Sequence, residues 1–322
     1  MSSQGQFVRS GNLNKSSRLG AGDVIARVPY LNSAPFFRGL SVPASFELID
    51  KPPRQAGARA AAGDLFAGLL PLADFLRLKG SFDRLGPFGI AVRGRARSVL
   101  LFSRKPVRQL EGSVISVTED TSTSAVLLRL ILEQRYDLAP SAYARVGAPA
   151  NGGSAKEVPM HESGSAARVG APQPASQGGV DEGSVDARSV STHRGHYPDA
   201  DALLLIGDEA LRFRQTNALY PFEIDLGFEW WLWQHLPCVF AVWAITKHAP
   251  ADEKRTLELA ITQSFGRNQH QLEVIAQEHS TRLGIPAADL HSYLSSFIYR
   301  LSQPEEEAIK QFYNLAETHH LL

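Results

Sequence analysis

The chain has 322 residues, 43% of them hydrophobic and 20% charged, with 33 basic and 33 acidic side chains. That length is enough for two lobes, each with its own core, and the balanced charge excludes a chain built to neutralise a nucleic-acid backbone. Sixteen Phe, eight Tyr and four Trp also exclude a wholly disordered polypeptide.

Cys238 is the single cysteine, so no internal disulfide and no multi-cysteine metal site can form. Its surroundings, Leu236-Pro237-Cys238-Val239-Phe240-Ala241-Val242-Trp243, read as a buried strand in which the thiol is a small hydrophobe. Residues 1–23 are rich in Ser, Gly and Asn, lack the apolar run of a secretory signal, and read as a flexible tail. No run comes near the roughly 18 apolar residues that a bilayer-spanning helix needs. The expectation is therefore a cytoplasmic protein with no membrane and no nucleic-acid partner.

The first element is a strand at Val24-Ile25-Ala26-Arg27-Val28-Pro29-Tyr30, followed by the polar turn Leu31-Asn32-Ser33. A helix then opens with Ser33 as N-cap and Pro35 in its first turn, where a missing N–H is tolerated. Residues 46–50 form a strand, 54–62 an Ala-rich helix closed by Gly63, 66–70 a strand and 72–78 a helix. Strands at 98–103 and 114–117 follow. The second runs into Thr121-Ser122-Thr123-Ser124 and an apolar helix over 125–135. Strands alternating with helices predict an α/β arrangement with mainly parallel pairing.

Between residues 141 and 200 there is no Leu, Ile, Phe or Trp, and 33 of the 60 residues are Gly, Ser, Ala or Pro. Such a stretch cannot bury enough apolar surface to offset its ordering entropy, so it reads as a disordered insertion. It carries a duplicated hexapeptide, Ala144-Arg145-Val146-Gly147-Ala148-Pro149 and Ala167-Arg168-Val169-Gly170-Ala171-Pro172. Two copies fall short of the three or more that a solenoid requires.

Order resumes with an apolar strand at 202–206, a helix at 228–233 and a buried strand at 238–245. From Asp252 onward the sequence reads as helical throughout, and Ser302 with Glu305 forms a capping box that opens the last helix. The element order predicts lobe one from residues 24–103 and 238–322 and lobe two from residues 104–237. A ligand cleft lies between them, where strand C-termini and helix N-termini converge.

Of the ten histidines, the close pairs fall in the insertion and at the C-terminus, and no metal-ligand spacing occurs, so no metal is expected. No phosphate loop, dinucleotide fingerprint or Gly-x-Ser-x-Gly elbow is present either. What remains is small polar groups at strand-to-helix turns. Asn32 and Ser33 follow one strand. Thr121 to Ser124 follow another, either as plain caps or as an anion cradle at a helix start. Arg93, Arg95, Arg97, Arg104, Lys105 and Arg108 form a basic stretch that could steer an acidic solute. The four tryptophans, at 230, 231, 233 and 243, read as core, with one available to wall the cleft.

Several segments together carry a resemblance. Val28-Pro29-Tyr30-Leu31-Asn32-Ser33-Ala34-Pro35-Phe36-Phe37 resembles the N-terminal signature of the chorismate dehydratase family of the futalosine route to menaquinone. Gly63-Asp64-Leu65, Ser98-Val99, Thr123-Ser124, Leu205-Ile206-Gly207-Asp208-Glu209-Ala210-Leu211, Asp225-Leu226-Gly227 and the Leu236 to Ala244 strand follow in the family's order. The likeness covers about 24–140 and 200–318. Two departures stand out. Gln234-His235 replaces the Thr-Gly common in relatives, and Phe66 replaces an acidic residue.

The resemblance implies a periplasmic-binding-protein-like (type II) fold, two α/β lobes with a ligand cleft between them, used by a lyase. The implied reaction removes water from chorismate to give 3-[(1-carboxyvinyl)oxy]benzoate, with no cofactor. It further implies that Asn32 is the catalytic turn asparagine, orienting and stabilising while the substrate's own enolpyruvyl carboxylate takes the proton. Ser33, Ser98, Thr123, Ser124, Gly207 and Asp208 are the expected substrate-binding residues. The competing expectation is a non-catalytic solute-binding protein of the same fold for an aromatic or dicarboxylate ligand. Oligomeric state is not legible.

Overall fold

The structure, a computed structural model, describes residues 24–146 and 200–322. The expected N-terminal tail and most of the expected insertion lie outside the described residues.

Two sheets organise the chain. The six-stranded sheet contains β1 (Val24–Arg27), β2 (Glu47–Asp50), β3 (Ala67–Pro71), β4 (Phe82–Val92), β10 (Cys238–Thr246) and β11 (Phe297–Arg300), in the order β11-β4-β10-β3-β1-β2. The five-stranded sheet contains β5 (Val99–Ser103), β6 (Val114–Thr118), β7 (Ala142–Val146), β8 (Ala202–Ile206) and β9 (Phe222–Asp225), in the order β7-β6-β8-β5-β9. β1 pairs in parallel with β2 and β3, and β6 with β7 and β8. β10 and β4, and in the other sheet β5, run antiparallel to their neighbours. The expected mainly parallel pairing is therefore corrected to a mixed one. The strands on either side of the crossings between sheets enter against the direction set by the strand–helix repeats.

Three further expectations are corrected. Residues 99–103 pair with β8 and β9, so the chain leaves the six-stranded sheet before β5, not after it. Residues 142–146 are not part of an insertion but an edge strand in register with β6, from Val114↔Ala142 to Thr118↔Val146, with Val146 buried. The C-terminal region is not wholly helical. β11 alternates buried and more exposed side chains along one edge of the six-stranded sheet, a period-2 pattern too short to stand out between long helices.

Helices cover both sheets. α1 (Ala34–Phe37), α2 (Pro53–Ala61) and α3 (Leu72–Arg77) follow β1, β2 and β3. α4 (Thr123–Arg129) follows β6 and runs on as a π-helical turn over Leu130–Arg135, while α5 (Gly207–Thr216) follows β8. After β10 come α7 (Ala251–Asn268), α8 (Leu272–Leu283), α9 (Ala287–Leu294) and α10 (Gln303–Thr318). The capping box forms as the sequence suggests, with the Ser302 N–H and Oγ–H both donating to Glu305 Oε2, at 2.9 and 2.7 Å. Among the described residues, no helix is long and apolar enough to cross a membrane.

The core is continuous between the sheets. Phe36 meets Phe88, Trp243 and Tyr299 edge-on at ring separations of 5.6–6.1 Å, a favourable geometry for aromatic quadrupoles. Trp230 is buried as well and donates its indole N–H to the Pro237 carbonyl at 3.1 Å. Cys238 is buried as expected, and burial pushes its thiol well above the ordinary range, leaving an inert neutral group.

The crossings are knotted by one carboxylate. Asp225 precedes α6 (Leu226–Gln234) and is 4% exposed. Its oxygens accept from the backbone N–H groups of Ala96 (3.0 Å), Arg97 (2.7 Å) and Phe228 (3.1 Å), which joins the outgoing crossing to the returning one.

α6 ends on His235 in the left-handed conformation (φ 56°, ψ 21°), its N–H bonded to the Trp231 carbonyl at 3.0 Å. A Cβ is strained there, so the position favours glycine. Because the His235 side chain is exposed, His235→Gly is expected to stabilise the protein by about 1 kcal/mol. A urea unfolding midpoint that stays put or falls would show that the ring makes compensating contacts.

Candidate functional site

A cleft lies between the two sheets and encloses about 530 Å³ of atom-free space, counting its open mouth. The six-stranded side contributes Val28, Tyr30, Asn32, Leu69, Pro71, Ile90, Phe240 and Ala241, with Pro53 from the start of α2. The five-stranded side contributes Val99, Ser122, Thr123, Ser124, Ile206 and Gly207. Apolar walls thus carry a few polar groups converging from two turns. Among the described residues, the lining has a single titratable side chain, that of Tyr30.

The turn after β1 is a 3-10 segment, Leu31–Ser33, that places Asn32 on the cleft. Ser33 does not cap α1 through its side chain. It is 1% exposed, and its hydroxyl faces the Val28 and Tyr30 carbonyls, which closes the turn from behind. Asn32 is half-buried, and its amide meets no hydrogen-bond partner among the described residues. A buried or half-buried amide with both ends free is held ready to donate one hydrogen bond and accept another.

The second turn precedes α4. Thr123 and Ser124 line the cleft, where the first N–H groups of a helix have no internal acceptor. Thr123 Oγ1 accepts from the Ala73 N–H at 3.1 Å, which leaves the threonine proton free to point elsewhere. Ser124 has no side-chain partner among the described residues.

Gly207 completes this wall at the end of β8, donating its N–H to the Ser98 carbonyl at 2.8 Å. Its φ is +58°, and a Cβ there would stand 2.7 Å from the Tyr30 ring, so both backbone and space demand glycine. The Tyr30 hydroxyl in turn donates to Asp120 Oδ2 at 3.3 Å. Burial first, and then the Asp120 charge, push the phenol far above its ordinary range, so it stays protonated. Asp120 is itself pushed up, chiefly by burial.

Asn32, Thr123, Ser124 and Gly207 are therefore gathered on one surface. Ser98, Ser33 and Asp208 lie behind it. Ser98 is fully buried, and its Oγ accepts from the Tyr293 hydroxyl at 2.8 Å. Asp208 is 4% exposed, and both its oxygens are engaged, Oδ1 by the Leu31 N–H at 2.8 Å and Oδ2 by Arg282 at 2.7 Å.

The basic stretch does not face the cleft. Arg93 and Arg95 lie over Trp231 and Phe228, Arg104 over Tyr220, Arg108 over Tyr136, and Lys105 pairs with Asp201. None of the four tryptophans lines the cleft. Phe240 supplies the aromatic wall instead. Phe240 and Ala241 escape sequence reading because the whole Cys238–Thr246 strand looks like uniform core.

Two α/β sheets, crossed between by two chain segments and enclosing an apolar cleft with polar turns, define the periplasmic-binding-protein fold. The solved structures agree. A protein of Archaeoglobus fulgidus superposes with a TM-score of 0.63 at 15% identity, covering 94% of this chain and 99% of that one. The alkanesulfonate-binding protein of Xanthomonas axonopodis pv. citri, bound to MOPS, gives 0.56 at 13% identity, covering 95% and 96%. The periplasmic aliphatic sulphonate-binding protein of Escherichia coli gives 0.52 at 10%, covering 93% and 87%. These likenesses concern the fold alone.

In sequence, a family model described as menaquinone biosynthesis matches residues 24–153 and 185–318. The chain belongs to this menaquinone biosynthesis family. A chorismate dehydratase of Thermus thermophilus is 25% identical over 297 residues, covering 88% of this chain and 91% of the relative.

Proposed function

We propose that this protein is a chorismate dehydratase, a carbon–oxygen lyase that converts chorismate to 3-[(1-carboxyvinyl)oxy]benzoate and water. The observation that carries the reading is a cleft of neutral polar groups without a carboxylate, imidazole or amine on its surface among the described residues. This suits a reaction whose base belongs to the substrate.

The ring carbon bearing the ether loses its proton to the enolpyruvyl carboxylate of the same molecule. The electron pair is delocalised into the ring carboxylate, and the neighbouring hydroxyl then leaves as water with that proton. The product ring is aromatic, which supplies the driving force. The growing charge on the ring carboxylate is where fixed donors lower the barrier most. Thr123 and Ser124, with the free N–H groups at the start of α4, hold one carboxylate. The Asn32 amide orients the other, the ring carboxylate, and stabilises the charge that grows on it. An amide is too weak a base at neutral pH to take the proton itself. Val28, Ile90, Phe240 and Ile206 exclude water from the ring.

The test is incubation of the full chain with chorismate, followed by chromatographic detection of the substituted benzoate. Product formed at a rate well above the spontaneous one is the expected result. Ligand-induced thermal stabilisation without turnover would overturn it in favour of a solute-binding protein of the same fold.

A further inference from the structure

Asp208 sits on α5, beneath the five-stranded sheet's side of the cleft, yet both of its hydrogen-bond partners come from outside that sheet. The Leu31 N–H belongs to the turn after β1, and Arg282 to α8, which packs against α1 and α5. The carboxylate is 4% exposed, so it is desolvated and fully satisfied by these two groups. Leu31 immediately precedes Asn32, the residue with a free amide on the cleft. Fixing the Leu31 N–H anchors the first residue of the 3-10 turn, and so the turn that carries Asn32.

Arg282 is held in turn. Its Nη2 also lies 2.9 Å from Nδ1 of His279, one helical turn back on α8. The chain of contacts runs from His279 to Arg282, to Asp208, to the Leu31 amide and so to Asn32. Only its last member, Asn32, lies on the cleft surface.

We infer that Asp208 is a positioning residue. Its carboxylate, oriented by Arg282, latches the Asn32 turn to the opposite side of the cleft and aims the amide at the reacting carboxylate. The role rests on the dehydratase reading for its catalytic consequence, while the latch itself is observable without substrate. Opening the cleft would pull Leu31 away from Asp208, so the asparagine is aimed in the closed form and released in the open one. Mis-aiming a catalytic group by about 1 Å costs on the order of 100-fold in rate, which sets the scale expected here.

Four measurements test this. Asp208→Asn, which keeps an acceptor but loses the ion pair, should lower kcat about 10- to 100-fold with KM changed less than about threefold. Arg282→Met, at a half-exposed site, should lower kcat in the same sense with the fold retained, so the test survives if Asp208 variants unfold. In an Asn32→Ala background, Asp208→Asn should cost little further. A merely structural role would multiply through instead. Hydrogen exchange at the Leu31 amide should accelerate in Asp208→Ala and Arg282→Met, whether or not chorismate is the substrate. Unchanged exchange at Leu31 overturns the latch. Accelerated exchange with undiminished kcat, or with fully multiplicative double variants, overturns the positioning role. A wild-type chain inert towards chorismate overturns the dehydratase reading alone.

Discussion

Replacing Asn32 by alanine is expected to lower chorismate turnover about 100- to 1000-fold while leaving the fold intact. A preorganised donor aimed at developing charge is typically worth about 3–4 kcal/mol in the transition state, and that energy is absent in the ground state. The side chain has no protein partner among the described residues, so its removal strands no buried group and stability should hardly change. Asn32→Asp should fare at least as badly. It removes the donor and sets a negative charge in an apolar cleft opposite a dicarboxylate. Steady-state kinetics of the two variants beside urea unfolding curves make the check. Wild-type turnover in both would reduce Asn32 to a turn residue. An aspartate variant as fast as the parent would make residue 32 the base and overturn the substrate-assisted route.

The largest expected loss of stability follows from removing Asp225. Three backbone N–H groups from two separate chain segments converge on this one carboxylate, at 2.7–3.1 Å. Alanine would leave the buried Ala96 N–H and the half-buried Arg97 and Phe228 N–H groups with no acceptor, each costing about 1–3 kcal/mol, less whatever water can reach the crossings. Arg97 is also held at φ 62°, a conformation that a non-glycine residue keeps only when its surroundings enforce it. A loss of about 3–5 kcal/mol is expected for Asp225→Ala, measured by urea unfolding at neutral pH. Asp225→Asn keeps one oxygen but turns an NH₂ toward a donor, so about half of the loss should remain. A shift below about 1 kcal/mol for alanine would mean the crossings are held by packing alone.

The sequence was most legible where a strand runs directly into a turn and a helix. β1 with its asparagine turn, β3 into α3 and β6 into α4 all stand where the strand–turn–helix pattern puts them, whereas α5 after β8 was missed because Gly207-Asp208 reads as a stop. Those junctions also supply the cleft, so Asn32, Thr123 and Ser124 could be placed from residues alone, while Gly207 came only with the family resemblance. β4 was not legible. Gly86 and Pro87 interrupt it, and its ladder with β10 carries register shifts, so an 11-residue central strand reads as punctuated loop. β7 was lost for the opposite reason. An edge strand of Ala, Tyr, Arg and Val at the border of a Gly-Ser-Ala-Pro stretch takes on the character of its neighbours. The roles of Ser33, Ser98 and Asp208 escaped because a side chain behind a wall and one on its face share the same motif. Only the partners tell them apart, the local Val28 and Tyr30 carbonyls for Ser33, and Tyr293 and Arg282, 195 and 74 positions away, for Ser98 and Asp208.

The order of strands along the chain has a consequence for biosynthesis. All five strands of the second sheet lie between residues 99 and 225, so that sheet can close as soon as this stretch leaves the ribosome. The first sheet cannot. Its fourth strand, β4, has both its ladder neighbours, β10 and β11, more than 140 residues downstream, and until they emerge it has no partner on either side. The lobe that begins first is therefore the one completed last. Its β1–β3 layer waits with apolar faces uncovered while the second lobe folds as a unit. The nascent chain is most exposed to aggregation between about residue 92, where β4 ends, and residue 300, where β11 ends. Translation speed and chaperone access over that interval, more than the stability of the finished molecule, set how much of it reaches the folded state.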